Sequence, residues 1–389
     1  MDRLVKALDK DQSKNRSINK LIQVTKVKEI SDDLYNDFFP PHYEQRFRPY
    51  DDLDKCNEGF LRKKKRPTVK ARKKRIKIEA DIQSLDDMLK LIHDYPLHED
   101  LKYDINIEGL HKIKPYLEKL NDFIGLDELK ENLLDQLIYF IHEKDDDYLH
   151  TVLYGPPGTG KTEIAKLLGQ IYTKLGILNK GTFIKVTRSD FVAGYLGQTA
   201  IKTRKLIEEN LGGVIFIDEA YALGNEEKRD SFSKEALDTL CELLSDHKKE
   251  LMVIIAGYRD ELKKCFFSYN PGLESRFAWQ FEIKEYSPTE LAKIFEKKIK
   301  DARWILEEEL DCVEWFEGKM DHFKNYGRDV ENFFSKCKIC HFRRIFGKRE
   351  NKHILSKKDL ENGFEKFSKH NNNNNAANEK EKQPNFMYT

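Results

Sequence analysis

The sequence predicts an α/β fold: a three-layer sandwich around a parallel five-stranded sheet, continued into a C-terminal α-helical lid. Three observations predict it. Five short apolar runs, at 150–154, 183–186, 214–217, 251–256 and 279–283, alternate with stretches of helical period. Strands alternating with helices imply parallel pairing, with both sheet faces covered. A glycine-rich loop joins the first run to a helix, the junction at which such sheets hold phosphate. After Pro288 the strand signal stops, and Leu291, Ile294, Phe295 and Ile299 open a helical pattern that continues with interruptions to about Phe367.

Taken in chain order, residues 1–105 form an N-terminal extension of poorly defined structure, broken by Pro40-Pro41 and Pro49 and by a basic run at 62–77. Residues 61–80 hold eleven basic side chains against one acid, Glu79, whereas the whole chain carries a net charge of +1. Charge alone is compatible with a solvated linker or adaptor arm, a nucleic-acid contact or a targeting signal, and the run lacks the interleaved aromatics of a single-strand binder. From Ile82 the period turns helical, through Leu85, Met88, Leu89 and Ile92, then Leu110, Ile113, Leu117 and Leu120, then Leu126, Leu129, Leu133 and Leu137. The nucleotide-binding α/β domain is expected over 106–286 and the lid over 287–370. The asparagine-rich end, 371–389, reads as a disordered tail because it has little apolar content to offset its ordering entropy.

Composition narrows the class. With 389 residues, 39% hydrophobic and 35% charged, the chain can build one large or two modest cores and a well-solvated surface. No stretch approaches the roughly 18 apolar residues of a membrane span, and Met1 to Lys6 lack the apolar run of a secretion signal. An intracellular, cytoplasmic protein is expected, with nucleus or virion as further addresses. Six irregularly spaced cysteines predict free thiols rather than a disulfide framework. Cys337-Lys338-Ile339-Cys340-His341 matches a haem-attachment pattern, but that chemistry needs export, and a zinc site would need two further ligands.

The chemistry is concentrated in two motifs. Gly155-Pro156-Pro157-Gly158-Thr159-Gly160-Lys161-Thr162 follows an apolar strand and enters a helix with Ile164, Leu167, Leu168, Ile171 and Leu175 on one face. This is the phosphate loop of a P-loop NTPase. Backbone N–H groups and the helix N-terminus cradle phosphate, Lys161 reaches the outer phosphates, and the Thr162 hydroxyl is placed to ligate Mg²⁺. The apolar strand at 214–217 ends in Asp218-Glu219. Asp218 is expected to hold the metal and Glu219 to polarise the attacking water, the two projecting to opposite sides by strand alternation. ATP and Mg²⁺ are the implied cofactors.

The loop and the carboxylate pair, together with Phe191-Val192-Ala193-Gly194-Tyr195-Leu196-Gly197-Gln198-Thr199-Ala200, Asp218-Glu219-Ala220-Tyr221, Ala256-Gly257-Tyr258 and Asn270-Pro271-Gly272-Leu273-Glu274-Ser275-Arg276-Phe277, resemble the CbbX/CfxQ and sporulation-protein-K branch of the AAA+ ATPases, which also occurs in large DNA viruses. The resemblance spans about Leu120 to Phe367. It implies that Arg276 is a finger reaching the γ-phosphate of a neighbouring subunit and that Arg328, after Gly327, senses phosphate in cis from the lid. It also implies that Ile124-Gly125 packs on adenine, that Tyr195-Leu196-Gly197 is a pore loop, and that Tyr258 stands at the first-sensor position, where many relatives carry Asn. A homo-oligomeric ring, a hexamer, follows from the finger and the pore loop. ATP-driven remodelling of a protein client is the leading expectation. Nucleic-acid remodelling through 62–77 and a nucleotide-gated scaffold are the rivals, and no membrane partner is expected.

Overall fold

The computed structural model describes residues 74–381 except Glu99, 143–146, Leu196, 226–229, 308–309 and 349–352, all within one compact unit, Lys70–Thr389. Residues 62–73 of the basic run at 62–77 and the end of the tail, 382–389, lie outside the described residues.

A short parallel pair opens it, β1 (Lys74–Ile76) on β2 (Leu101–Tyr103), with α1 (Leu85–Asp94) between them. The Ser84 hydroxyl accepts from the Asp87 N–H and caps α1. α2 (Ile107–Asn121) starts on Asn106, whose side chain accepts from the Gly109 N–H, and α3 (Asp127–His142) follows. Leu85, Met88, Leu91 and Ile92 of α1 are buried in the same cluster as the leucines of α2 and α3. The expected boundary at 105 therefore cuts through packed structure, although the period at Leu85, Met88, Leu89 and Ile92 marks this helix in the sequence.

The main sheet consists of β3 (Thr151–Tyr154), β4 (Phe183–Val186), β5 (Val214–Ile217), β6 (Met252–Gly257) and β7 (Trp279–Glu282), all parallel, in the order β4-β5-β6-β3-β7. α4 (Lys161–Lys174), α5 (Arg188–Phe191), α6 (Gln198–Glu209), α7 (Ser231–Asp246), α8 (Arg259–Cys265) and α9 (Pro271–Arg276) connect the strands. Period-two alternation sorts each strand between two cores. Val214 and Phe216 of β5 join α1 to α4 on one face, while Ile215 and Ile217 join α7 on the other. Because both faces of the inner strands β3, β5 and β6 are covered, these read as near-continuous apolar runs, whereas the edge strands β4 and β7 carry Lys185, Gln280 and Glu282.

The lid holds α10 (Pro288–Asp301), α11 (Cys312–Glu317), α12 (Tyr326–Ile345) and α13 (Lys357–Glu381). A capping box starts α10: Ser287 accepts from the Glu290 N–H, and the Glu290 carboxylate accepts from the Ser287 N–H. Its core is aromatic, with Trp315 stacked on Phe333 at 4.8 Å and Phe295, Phe316 and Phe323 around them. Two expectations are corrected. The lid is not purely helical, since β8 (Ile305–Leu306) pairs with β9 (Ile354–Leu355), and two-residue strands carry no readable period. The other concerns the tail expected from 371, since α13 is helical as far as Glu381.

Candidate nucleotide site

β3 delivers the phosphate loop to the carboxyl ends of the strands, where open α/β sheets bind ligands. Gly158 lies at φ 78°, and a Cβ there would fall 1.9 Å from the Asn325 carbonyl oxygen of the lid. A Cβ on Gly155 would meet the Ile283 carbonyl at 2.7 Å. Only glycine allows the loop this tight path, which frees its N–H groups for an anion at the start of α4. The lid closes directly on the loop, with the Gly327 N–H donating to the Gly158 carbonyl at 3.1 Å and the Tyr286 hydroxyl donating to the Thr159 carbonyl at 3.2 Å.

Lys161 is buried, and its ammonium donates to the Gly155 and Pro156 carbonyls at 2.9 and 2.6 Å. Burial pushes its pKa below the ordinary lysine value and Arg328 adds to that, while Asp218 and Glu219 pull it back up. The strand ends at Ile217, so Asp218 and Glu219 occupy the turn beyond it. Glu219 is left-handed, at φ 51° and ψ 47°. The expectation that alternation sends the two acids to opposite sides is therefore corrected: the turn, not the pleat, aims them, and both line one cavity. Asp218 also accepts from Lys185 of β4 at 2.7 Å.

That cavity, of about 520 Å³, is lined by Gly155, Pro157 to Thr162, Asp218 and Glu219, with Tyr258, Tyr286 and Arg328 among its other walls. Ile124 lines it beside Phe123, whereas Gly125 packs against Glu290 of α10. Tyr258 follows β6 as expected, tilted on Tyr221 at 6.4 Å between ring centres. Burial and then Glu219 raise the Tyr221 hydroxyl to about 12, so it stays a protonated donor. Burial likewise raises Tyr286 to about 12. Tyr221, Tyr286 and Lys185 were missed in the sequence. For Lys185 the signal was there, a single charge inside an apolar strand.

Besides Gly125, the expected site residues Pro156, Arg276, Tyr195 and Gly197 are not among the cavity's lining residues. Arg276 ends α9, with Nε donating to Ser245 Oγ at 2.9 Å and Nη1 to the Gly272 carbonyl at 2.7 Å. Tyr195 is 74% exposed on the loop before α6, Gly197 is exposed beside it, and Leu196 lies outside the described residues. The donor set fits the implied group. A hydroxyl, Thr162, and a carboxylate, Asp218, are the hard oxygen ligands Mg²⁺ takes beside phosphate, and the glycine cradle with Lys161 suits a polyphosphate.

Residues 151–285 match the AAA family, the ATPase family associated with various cellular activities. Over 300 residues the chain is 37% identical to a putative cfxQ-like protein of Acanthamoeba polyphaga mimivirus, covering 74% of this chain and 73% of that one. The chain belongs to the CfxQ-like AAA ATPases. It is 38% identical over 218 residues to stage V sporulation protein K of Bacillus subtilis, covering 54% of this chain and 66% of that one. It is 32% identical over 261 residues to a chloroplastic ribulose bisphosphate carboxylase/oxygenase activase of Cyanidioschyzon merolae, covering 66% and 85%. AAA ATPases use ATP with Mg²⁺ and typically assemble as homo-oligomeric rings, so the P-loop α/β fold and the family expected from the sequence both stand. No helix among the described residues is long and apolar enough to cross a membrane.

Proposed function

We propose that this CfxQ-like chain hydrolyses ATP as a subunit of a homo-oligomeric ring, a hexamer, and uses the cycle to remodel a protein client. The observation that carries the reading is the convergence of Lys161, Thr162, Asp218, Glu219 and Arg328 on one cavity while Arg276 and Tyr195 stand outside it. In this reading the loop N–H groups and Lys161 bind the phosphates. Thr162 and Asp218 hold Mg²⁺, which when bound neutralises charge on the phosphate oxygens. Glu219 orients and polarises the water that attacks the γ-phosphate. Arg328 contacts phosphate from the lid, and the Gly327–Gly158 bond makes lid position depend on the loop. A neighbour's Arg276, planar and permanently charged, suits the transition-state oxygens. Exposed Tyr195 would grip a polypeptide by apolar contact. An activase among the relatives supports remodelling of a protein complex as the class of work and leaves the client of this chain open.

Steady-state phosphate release tests the enzyme. Glu219→Gln is expected to bind ATP as the parent does and to turn over about 100-fold or more slowly, the range of a lost general base. Equal release by both proteins would overturn the assignment. Adding an unfolded polypeptide, or single-stranded DNA or RNA, then separates the client classes. Stimulation by nucleic acid rather than polypeptide would replace the protein client by a nucleic-acid one.

A further inference from the structure

Lys185 is an unusual residue for its place. β4 reads Phe183, Ile184, Lys185 and Val186, and it is the edge strand beside β5, with Lys185 opposite Phe216 and Val186 opposite Ile217. From there the lysine ammonium lies over the Phe216 ring, 6.0 Å from its centre, and meets Asp218 Oδ2 at 2.7 Å. The register matters, since it puts Lys185 close enough to pass the strand end and meet the first residue of the turn. The ion pair therefore joins a surface cation to a carboxylate that lines the nucleotide cavity. Its two side chains are 49% and 27% exposed, which leaves the lysine head free to move into water on its flexible stem.

We propose that Lys185 is a positioning residue of the nucleotide site: its ammonium holds Asp218 until a divalent cation displaces it, and so sets how much Mg²⁺ the site requires. The inference rests on the reading of Asp218 as the metal-holding carboxylate. Lys161 and Arg328 already face the cavity as cations. Without metal and phosphate, the Lys185 charge keeps the Asp218 carboxylate compensated and fixed in direction. When a dication approaches the same carboxylate, two like-signed partners compete for it, and the half-exposed lysine is the one that can leave. The bland reading, a solvated surface ion pair, predicts that nothing at the site responds to Lys185.

The test reads nucleotide binding rather than turnover. Fluorescent methylanthraniloyl-ADP is titrated with full-length protein across a Mg²⁺ series, for the parent, Lys185→Met, Lys185→Arg and Asp218→Asn. Lys185→Met is expected to lower the half-saturating Mg²⁺ about three- to fivefold, the scale of a partly exposed ion pair. Lys185→Arg keeps the parent value, and added salt narrows the gap between Met and parent. An unchanged Mg²⁺ requirement in Lys185→Met would overturn the inference. So would a raised requirement, which would mean that the ammonium helps Asp218 meet the metal. If Asp218→Asn shares the parent's Mg²⁺ dependence, the metal role of Asp218 falls and this inference falls with it. A dependence that Asp218→Asn abolishes and Lys185→Met leaves alone overturns Lys185 only. Melting curves check folding, and Lys185→Gln repeats the comparison if the Met protein is damaged.

Discussion

At Gly158 the backbone conformation and the lid make the same demand. The residue sits at φ 78°, where an L side chain costs about 1–2 kcal/mol, and its Cβ would overlap the Asn325 carbonyl. That neighbour is backbone, so it yields only if the start of α12 moves. Gly158→Ala is therefore expected to weaken ADP binding by at least about tenfold, combining strain with displacement of the lid. A fluorescent-ADP titration checks it, and an affinity within twofold of the parent would show that the lid adapts freely. Glu219 shows the converse choice. A glutamate is kept at φ 51°, a strained position for a side chain with a Cβ, which fits a residue aimed by its turn for chemistry. The identities of Asp218 and Glu219 were legible in the sequence. Their direction was not, because the strand stops one residue earlier than alternation assumes.

Among the elements, β3 is pinned at its base by His150, fully buried and just before the strand. Its Nδ1 accepts from the Val253 N–H of β6 at 3.1 Å, and Nε2 lies 3.3 Å from the Leu244 carbonyl of α7. An acceptor Nδ1 requires neutral imidazole, and burial pushes the pKa down from 6.5 to about 4. Between these values the unfolded chain binds the proton and the folded chain does not, so stability falls as pH drops through that window. The full difference is about 3 kcal/mol. Urea midpoints from pH 7 to pH 4.5 should fall in the parent and fall less steeply in His150→Asn; parallel slopes would remove His150 from the account. The inner strands were legible as near-continuous apolar runs bounded by turn residues, and the edge strands as short runs broken by Lys185, Gln280 and Glu282. The β8–β9 ladder and the Lys185–Asp218 pair were not, since each is fixed by register or packing between segments far apart in sequence.

For the whole molecule, the placement of Arg276 decides whether one chain is enough. Its guanidinium is bonded to Ser245 and the Gly272 carbonyl, at the end of α9 and away from the residues lining the cavity of its own chain. If it completes a neighbour's site, the contact is heterologous, with one face donating Arg276 and a different face receiving it, and such contacts close into rings. Turnover per subunit should then rise steeply with protein concentration and level off once rings are complete. Arg276→Ala should lose about 10³-fold or more in turnover while binding ATP normally. The sharper test mixes two inactive proteins, Arg276→Ala, whose own phosphate loop is intact, and Lys161→Ala, whose Arg276 is intact. In randomly mixed rings about a quarter of the sites pair an intact loop with an intact neighbouring finger, so activity should reappear on mixing at about that fraction of the parent level. Mixtures as inactive as their components, in rings shown to exchange subunits, would mean that Arg276 serves its own chain, and the ring would no longer be needed to explain catalysis.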